Sequence, residues 1–179
     1  KAGEQGEVIV GDITYLPLRG GKFCYLAAFQ DKFTRRIVGW QVSATMTAQL
    51  VLDAFNRARN RRLIKRGAVI HTDRGSQYAS VEYRRSLYIH GFRQSMSAKG
   101  NCYDNAQAES FFSRFKAELI EGGIFESVEQ ARSEIFSYIE GYYNFKRLHS
   151  GLGYKTPLEF EAELKFKEKR KESLLSIFS

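Results

Sequence analysis

The sequence predicts an α/β fold in which a mixed five-stranded sheet is flanked by helices. Three observations carry this expectation. Three β-rich runs stand first, at 7–16, 22–30 and 35–44. They are joined only by the turn-like links "PLRGG" and "DKFT", which suit antiparallel hairpins. After them, helical and extended patterns alternate, as in a sheet covered by helices.

Each element has its own signal. The first run, "EVIVGDITYL", places Val8, Val10, Ile13 and Tyr15 in a β-favouring stretch interrupted by Asp12. "KFCYLAAFQ" and "RRIVGWQVSA" supply the second and third strands. Residues 47–67 read as one helix, capped by Thr47, with Val51, Phe55 and Ala58 on one face and Gly67 as its end. The cations Arg57, Arg59, Arg61, Arg62, Lys65 and Arg66 read as a solvated face that complements the helix dipole, with a DNA contact as the alternative. "AVIHTD" is a short fourth strand, "SVEYRRSLYIHG" a helix, and "FRQSM" a fifth strand. "SAKGNCYDN" has loop composition. Residues 106–121 and 127–149 read as two helices, the second capped by Ser127, and a final charged helix starts at Pro157.

Bulk composition narrows the function classes. The length of 179 residues fits one domain, and 43% hydrophobic content supports a real core. No apolar run approaches a membrane span, and the first ten residues lack the apolar stretch of a secretion signal, so a cytoplasmic protein is expected. The net charge of +8 favours a polyanionic partner. Cys24 and Cys102 lie far apart without ligand spacing and read as free thiols rather than a zinc site.

The carboxylates carry the chemistry. Asp12 interrupts the first strand, Asp73 ends the fourth, and Glu109 lies early in the helix after the loop. If strands one and four are neighbours, the three acids can converge. Their mutual repulsion is then relieved by a divalent cation with hard oxygen ligands, for which magnesium is suited. Two such ions about 4 Å apart serve phosphodiester chemistry. Taken singly, Asp12 can instead pair with a core arginine or cap a turn, Asp73 can be a turn residue, and Glu109 a surface acid. Asp31 reads as hairpin chemistry and Asp104 as a helix cap.

Spacing and flanking sequence go further. Sixty residues separate Asp12 from Asp73, and 35 separate Asp73 from Glu109. This resembles the Asp-Asp-35-Glu pattern of integrase-like recombinases. "GDITY", "HTDRGSQY", "SAKGNCYDNAQAESFFSRFKAE" and "YYNFKRLHSGLGYKTPLEF" resemble DDE transposases of bacterial insertion sequences, in the class whose two reading frames are often fused by frameshifting. Ile9 stands where many relatives carry Trp, and Thr72 where Ser is common.

That resemblance implies an RNase H-like fold and an enzyme that cleaves a DNA strand and joins its 3′-hydroxyl to another DNA phosphate. Asp12, Asp73 and Glu109 would be the catalytic, metal-binding acids for Mg²⁺, with Mn²⁺ able to substitute and two ions per site. Lys116, two helical turns after Glu109, would hold a phosphate. Asn105, Lys99, Asn101, Arg74, Gln77, Arg147 and His149 are the further DNA-binding candidates, with Tyr143 and Asn144 from the same motif as His149. A packing role is the alternative for that motif. Residues 1–150 would form the catalytic core and 151–179 a C-terminal helical extension, with the DNA-end-binding regions upstream of this chain. Insertion-sequence ends and target DNA would be the partners, in a homo-oligomer of at least two protomers, and the protein would be cytoplasmic and nucleoid-associated. A nuclease or resolvase that only hydrolyses, or a non-catalytic DNA-binding core, is the alternative.

Overall fold

The computed structural model describes residues 2–97, 106–120 and 123–177. Its sheet comprises β1 (Val8–Leu18), β2 (Lys22–Asp31), β3 (Ile37–Ser43), β4 (Val69–Thr72) and β5 (Arg93–Met96), in the order β3-β2-β1-β4-β5. The pairs β1–β2 and β2–β3 are antiparallel, while β1–β4 and β4–β5 are parallel. The expected mixed sheet is therefore present, with β1 and β4 side by side.

The helices are α1 (Ala48–Asn60), α2 (Ser76–Ala79), α3 (Val81–Ile89), α4 (Ala106–Phe115), α5 (Val128–Phe136) and α6 (Pro157–Ile177). Alternation along the strands gives the sheet two apolar faces. Ile9, Ala27, Phe29, Val38 and Ile70 pack with Val51, Phe55 and Ala58 of α1 and with Tyr83 and Leu87 of α3. Leu16, Cys24, Leu26, Ala28, Trp40 and Val42 pack on the other face with Phe111, Phe112 and Phe115 of α4, and with Ile135 of α5. Gly39 lets α1 approach β3 closely, since a Cβ there would lie 2.3 Å from the Ala54 carbonyl oxygen.

Several sequence expectations need correction. The first helix ends at Asn60 rather than near Gly67, because Arg62 takes a left-handed conformation (φ 55°) and the Lys65 N–H bonds the Gly6 carbonyl instead of a helical one. Thr47 precedes α1 without a side-chain cap bond. The cationic run is not simply solvated. Arg57 donates to the Trp40 carbonyl, Arg61 pairs with Glu140 and Lys65 with Glu4. The segment after Asp73 contains the short helix α2, which the sequence reading passed over. Past Phe115 and Phe136 the backbone widens into π-helical turns at Lys116–Ile120 and Ser137–Tyr143. The second of these helices stops by Asn144 rather than His149, and Ser150–Leu152 forms a single 3₁₀ turn.

Other expectations hold. Ser127 caps α5 by accepting from the Gln130 N–H at 3.2 Å. Asp31 does the hairpin work expected of it, accepting from the N–H groups of Phe33 and Thr34 at 2.8 Å each. The expected loop at 97–105, with Cys102 and Asp104, lies beyond Ser97 outside the described residues.

Two buried polar clamps fix the second half of the chain to the sheet. The Asn144 side chain accepts from the Ile37 N–H (2.9 Å) and donates to the Ile37 carbonyl (3.0 Å). On α6, buried Glu161 pairs with Arg36 at 2.6 Å, while Phe160 packs its ring against Phe33. The first turns of α6 thus dock on the β2–β3 end of the sheet.

Candidate active site

Three elements bring the acids together. Asp12 shares its alternation parity with Leu16, so it projects from the face that α4 covers. The residue before it must be small: a Cβ on Gly11 would lie 2.5 Å from the Phe29 ring on the opposite face. In the parallel β1–β4 pair, Val10 stands opposite His71. The same register carried two residues further sets Asp73 level with Asp12. Glu109 lies in the first turn of α4, on its exposed side, where the helix dipole favours a carboxylate.

The electrostatics show that these groups feel one another. Asp12 is half-buried, and its carboxyl is pushed up to about 6. Burial is the main cause, and the negative charges of Asp73 and Glu109 add to it. The Ile13 N–H, which donates to Asp12 Oδ1 at 2.8 Å, and the Lys116 ammonium pull the other way without prevailing. Asp73 is oriented by the Gly75 N–H, which donates to its Oδ1 at 2.9 Å. The turn reading of Asp73 is thus also satisfied, and its second carboxylate oxygen has no hydrogen bond among the described residues.

Lys116 sits where α4 passes into its π-helical turn. Its ammonium lies 4.5 Å from the centroid of the Tyr15 ring, within the field of Asp12. Among the described residues, no group of three or more His, Cys, Asp or Glu side chains is gathered as a ready metal-binding set. The three carboxylates are neighbours that do not yet converge on one point. Their chemistry nevertheless fits a divalent cation. All are hard oxygen donors, and the half-buried Asp12 is destabilised as an anion by its surroundings.

The remaining sequence candidates fall in three places. Lys99, Asn101 and Asn105 lie outside the described residues. Arg74 and Gln77 border Asp73 but are tied to the protein, Arg74 Nε to the Ser97 carbonyl (2.8 Å) and Gln77 Nε2 to the Met46 carbonyl (3.3 Å). Arg147 and His149 lie away from the acids. Arg147 grips Glu118 with two nitrogens, Nη2 to Oε1 at 2.7 Å and Nε to Oε1 at 2.9 Å. Burial pushes Glu118 up, but the bonds from Arg147 and Tyr138 outweigh it and hold the carboxyl below its ordinary value. Buried His149 packs edge-on against Tyr143. Sequence reasoning missed Arg35 and Arg114, which stand beside His149 around one cavity. The Gln107, Ser110 and Arg114 spacing on one helix face was the available signal.

Two family models described as integrase core domain match this chain, at residues 2–102 and 90–157. The chain belongs to the integrase core domain family. It is 48% identical over 161 residues to the transposase for insertion sequence element IS904 of Lactococcus lactis, covering 90% of this chain and 63% of that protein. It is 49% identical over 151 residues to transposase InsF for insertion sequence IS3A of Escherichia coli, covering 84% of this chain and 52% of that one. The chain thus spans about half to two thirds of the length of these curated relatives.

Solved structures share the RNase H-like fold of this integrase core domain at low identity. The HTLV-2 integrase catalytic core domain in complex with magnesium superposes with a TM-score of 0.61 at 13% identity, covering 89% of this chain and 99% of that one. The Mos1 transposase paired-end complex gives 0.63 at 14%, covering 77% and 49%. No helix among the described residues is long and apolar enough to cross a membrane.

Proposed function

We propose that this integrase core domain is the catalytic part of a metal-dependent DNA transposase. It would cut one strand at the end of an insertion sequence and join the freed 3′-hydroxyl to another DNA phosphate. The observation that carries the reading is the position of Asp12. It is a half-buried acid inside a central strand, raised by burial and by Asp73 and Glu109. A fold gains no stability from such a group, whereas a cation site needs it. The transposase names of the relatives supply the substrate class.

In this reading Asp12, Asp73 and Glu109 hold Mg²⁺, two ions per site, with Mn²⁺ able to replace it. When bound, the ions supply activation of the attacking oxygen and stabilisation of the leaving one. The protein's own groups set the geometry. The Ile13 and Gly75 N–H groups fix one oxygen each of Asp12 and Asp73. Lys116 offers its ammonium to a phosphate oxygen next to the acids. Cleavage forms a bond from water oxygen to phosphorus and breaks the P–O3′ bond, leaving a 3′-hydroxyl and a 5′-phosphate. Joining repeats the exchange with the 3′-hydroxyl as nucleophile and a target 3′-hydroxyl as leaving group, so neither step needs an external energy source. Residues 1–150 act as the catalytic core and 151–179 as a helical extension. End recognition and assembly into a complex of at least two protomers belong to the longer transposase, acting at the nucleoid.

The test is strand joining by this chain, with a labelled pre-cut element end, a target plasmid and Mg²⁺. Joined product from wild type, with at least about a hundredfold less from Glu109→Gln, is the expected result. Equal activity of the two proteins would remove Glu109 from the site. Nicked plasmid without joined product would reassign the chain as a hydrolase.

A further inference from the structure

The integrase core domain carries a second polar site across α4 from Glu109, and its sign is opposite to that of the first. A cavity of about 260 Å³ is lined by Gln30, Arg35, Gln107, Arg114, His149 and Ser150, among others. None of Asp12, Asp73 and Glu109 lines it, and no acid among the described residues does.

The lining is built rather than incidental. Buried His149 is only 7% exposed and Gln30 3%, and each presents an enclosed polar atom, His149 Nε2 and Gln30 Oε1, with no hydrogen-bond partner among the described residues. Such atoms are costly to bury unpaired, so they ask for a ligand. Around the cavity, Arg147 is the cation that meets a carboxylate, Glu118 at 2.7 Å. Arg35 and Arg114 meet none among the described residues. Arg35 is also held in a left-handed conformation (φ 64°), with its carbonyl accepting from Gln30 Nε2 at 2.9 Å. A non-glycine residue held that way costs about 1–2 kcal/mol, so the surrounding structure holds this turn in place.

The charge around the histidine agrees. Burial first, then the guanidiniums of Arg147, Arg114 and Arg35, push His149 down to about 4. It is therefore neutral at pH 7, with one ring nitrogen available as a donor and the other as an acceptor. Arg147 is neutralised by Glu118, which leaves two guanidiniums for an anion.

We propose that this cavity is a phosphate-binding site that grips a DNA backbone phosphate remote from the one being cut. The inference rests on the DNA-transposase reading of the domain. Arg35 and Arg114 supply the charge, His149 and Ser150 neutral donors, and Gln107 an amide. Gln30 Oε1, an acceptor, is served by a water carried on the phosphate. Two arginines on separate elements, the β2–β3 turn and α4, line the cavity, and planar guanidiniums suit phosphate oxygens.

The experiment measures binding alone and so stands apart from strand joining. Fluorescence anisotropy of a labelled duplex, in a salt series, compares the wild-type chain with Arg114→Gln, Arg35→Asn and the double variant. Asparagine tolerates the left-handed backbone at position 35, and circular dichroism checks the fold. Inorganic phosphate is titrated separately, read by the ¹⁵N shift of the His149 ring. About tenfold weaker binding to any sequence by the double variant, with a salt slope reduced by about one, supports the proposal. Unchanged affinity and slope overturn it and leave the transposase reading intact. Unchanged DNA binding with a His149 shift on adding phosphate also overturns the DNA assignment, making the ligand a free phosphate. A wild-type chain that binds no duplex at all overturns the proposal, while the transposase reading is judged by strand joining.

Discussion

The two sides of α4 are electrostatic opposites built by one rule. On one side a half-buried acid, Asp12, has its carboxyl raised to about 6 by burial and by neighbouring carboxylates. On the other a buried imidazole, His149, is lowered to about 4 by burial and by neighbouring guanidiniums. In both cases burial disfavours the charged form and like charges add to the effect. The contrast teaches that each site is unfavourable by itself, in opposite senses, and that each is relieved by a counter-charge from outside: a cation at Asp12, an anion at His149.

The largest effect should come from breaking the acid side only. Glu109→Gln should reduce strand joining by about a hundredfold or more while leaving duplex affinity within about twofold, since Glu109 is not part of the cationic lining. Gel assays for joining and anisotropy for binding, on the same preparation, check this.

The next prediction concerns metal. Mg²⁺ should raise the melting temperature of the wild-type chain, because a ligand that binds only the native state stabilises it. The same addition should leave Asp12→Asn unmoved. A calorimetric scan with and without Mg²⁺ reads it, and an equal rise in both proteins would place the ion elsewhere.

Smaller effects come from pH, where the two sites should run in opposite directions. A carboxyl raised in the folded state contributes stability that is present below its unfolded value near 4 and is lost as pH rises through about 6. In metal-free buffer at pH 8, Asp12→Asn should therefore be more stable than wild type, on the order of 2 kcal/mol, with the gain shrinking as pH falls from 6 to 4. The lowered histidine behaves in mirror fashion. Its contribution is intact above about 6.5 and is lost as pH falls toward about 4, because the unfolded chain takes up the proton first. His149→Gln should lose less stability than wild type over that window, by on the order of 1–2 kcal/mol. Urea titrations at four pH values separate these slopes, which partly cancel in the wild-type profile.

The acid side of this comparison was legible in the sequence and the basic side was not. Asp12 stands out because a carboxylate in a β-favouring run is improbable, and its partners follow in chain order at the ends of recognisable elements. The strands themselves were read within a few residues because alternation is local. The basic cavity joins Arg35 from a turn, Arg114 from α4 and His149 from a loop, and no local pattern links the three. His149 was read toward DNA from its motif, whereas its burial and unpartnered Nε2 depend on packing against Tyr143. The end of α1 was misread for a related reason. Arginine-rich sequence favours helix, and only the left-handed Arg62 and the bond from Lys65 to Gly6 reveal the stop.

The clamp between Asn144 and Ile37 has a consequence for self-association. β3 is the outermost strand on its side of the sheet. By engaging both main-chain groups of Ile37, the Asn144 amide takes the place a sixth strand would occupy there. An open border strand is a template on which another polypeptide can zip itself. One amide side chain blocks the template where β3 begins.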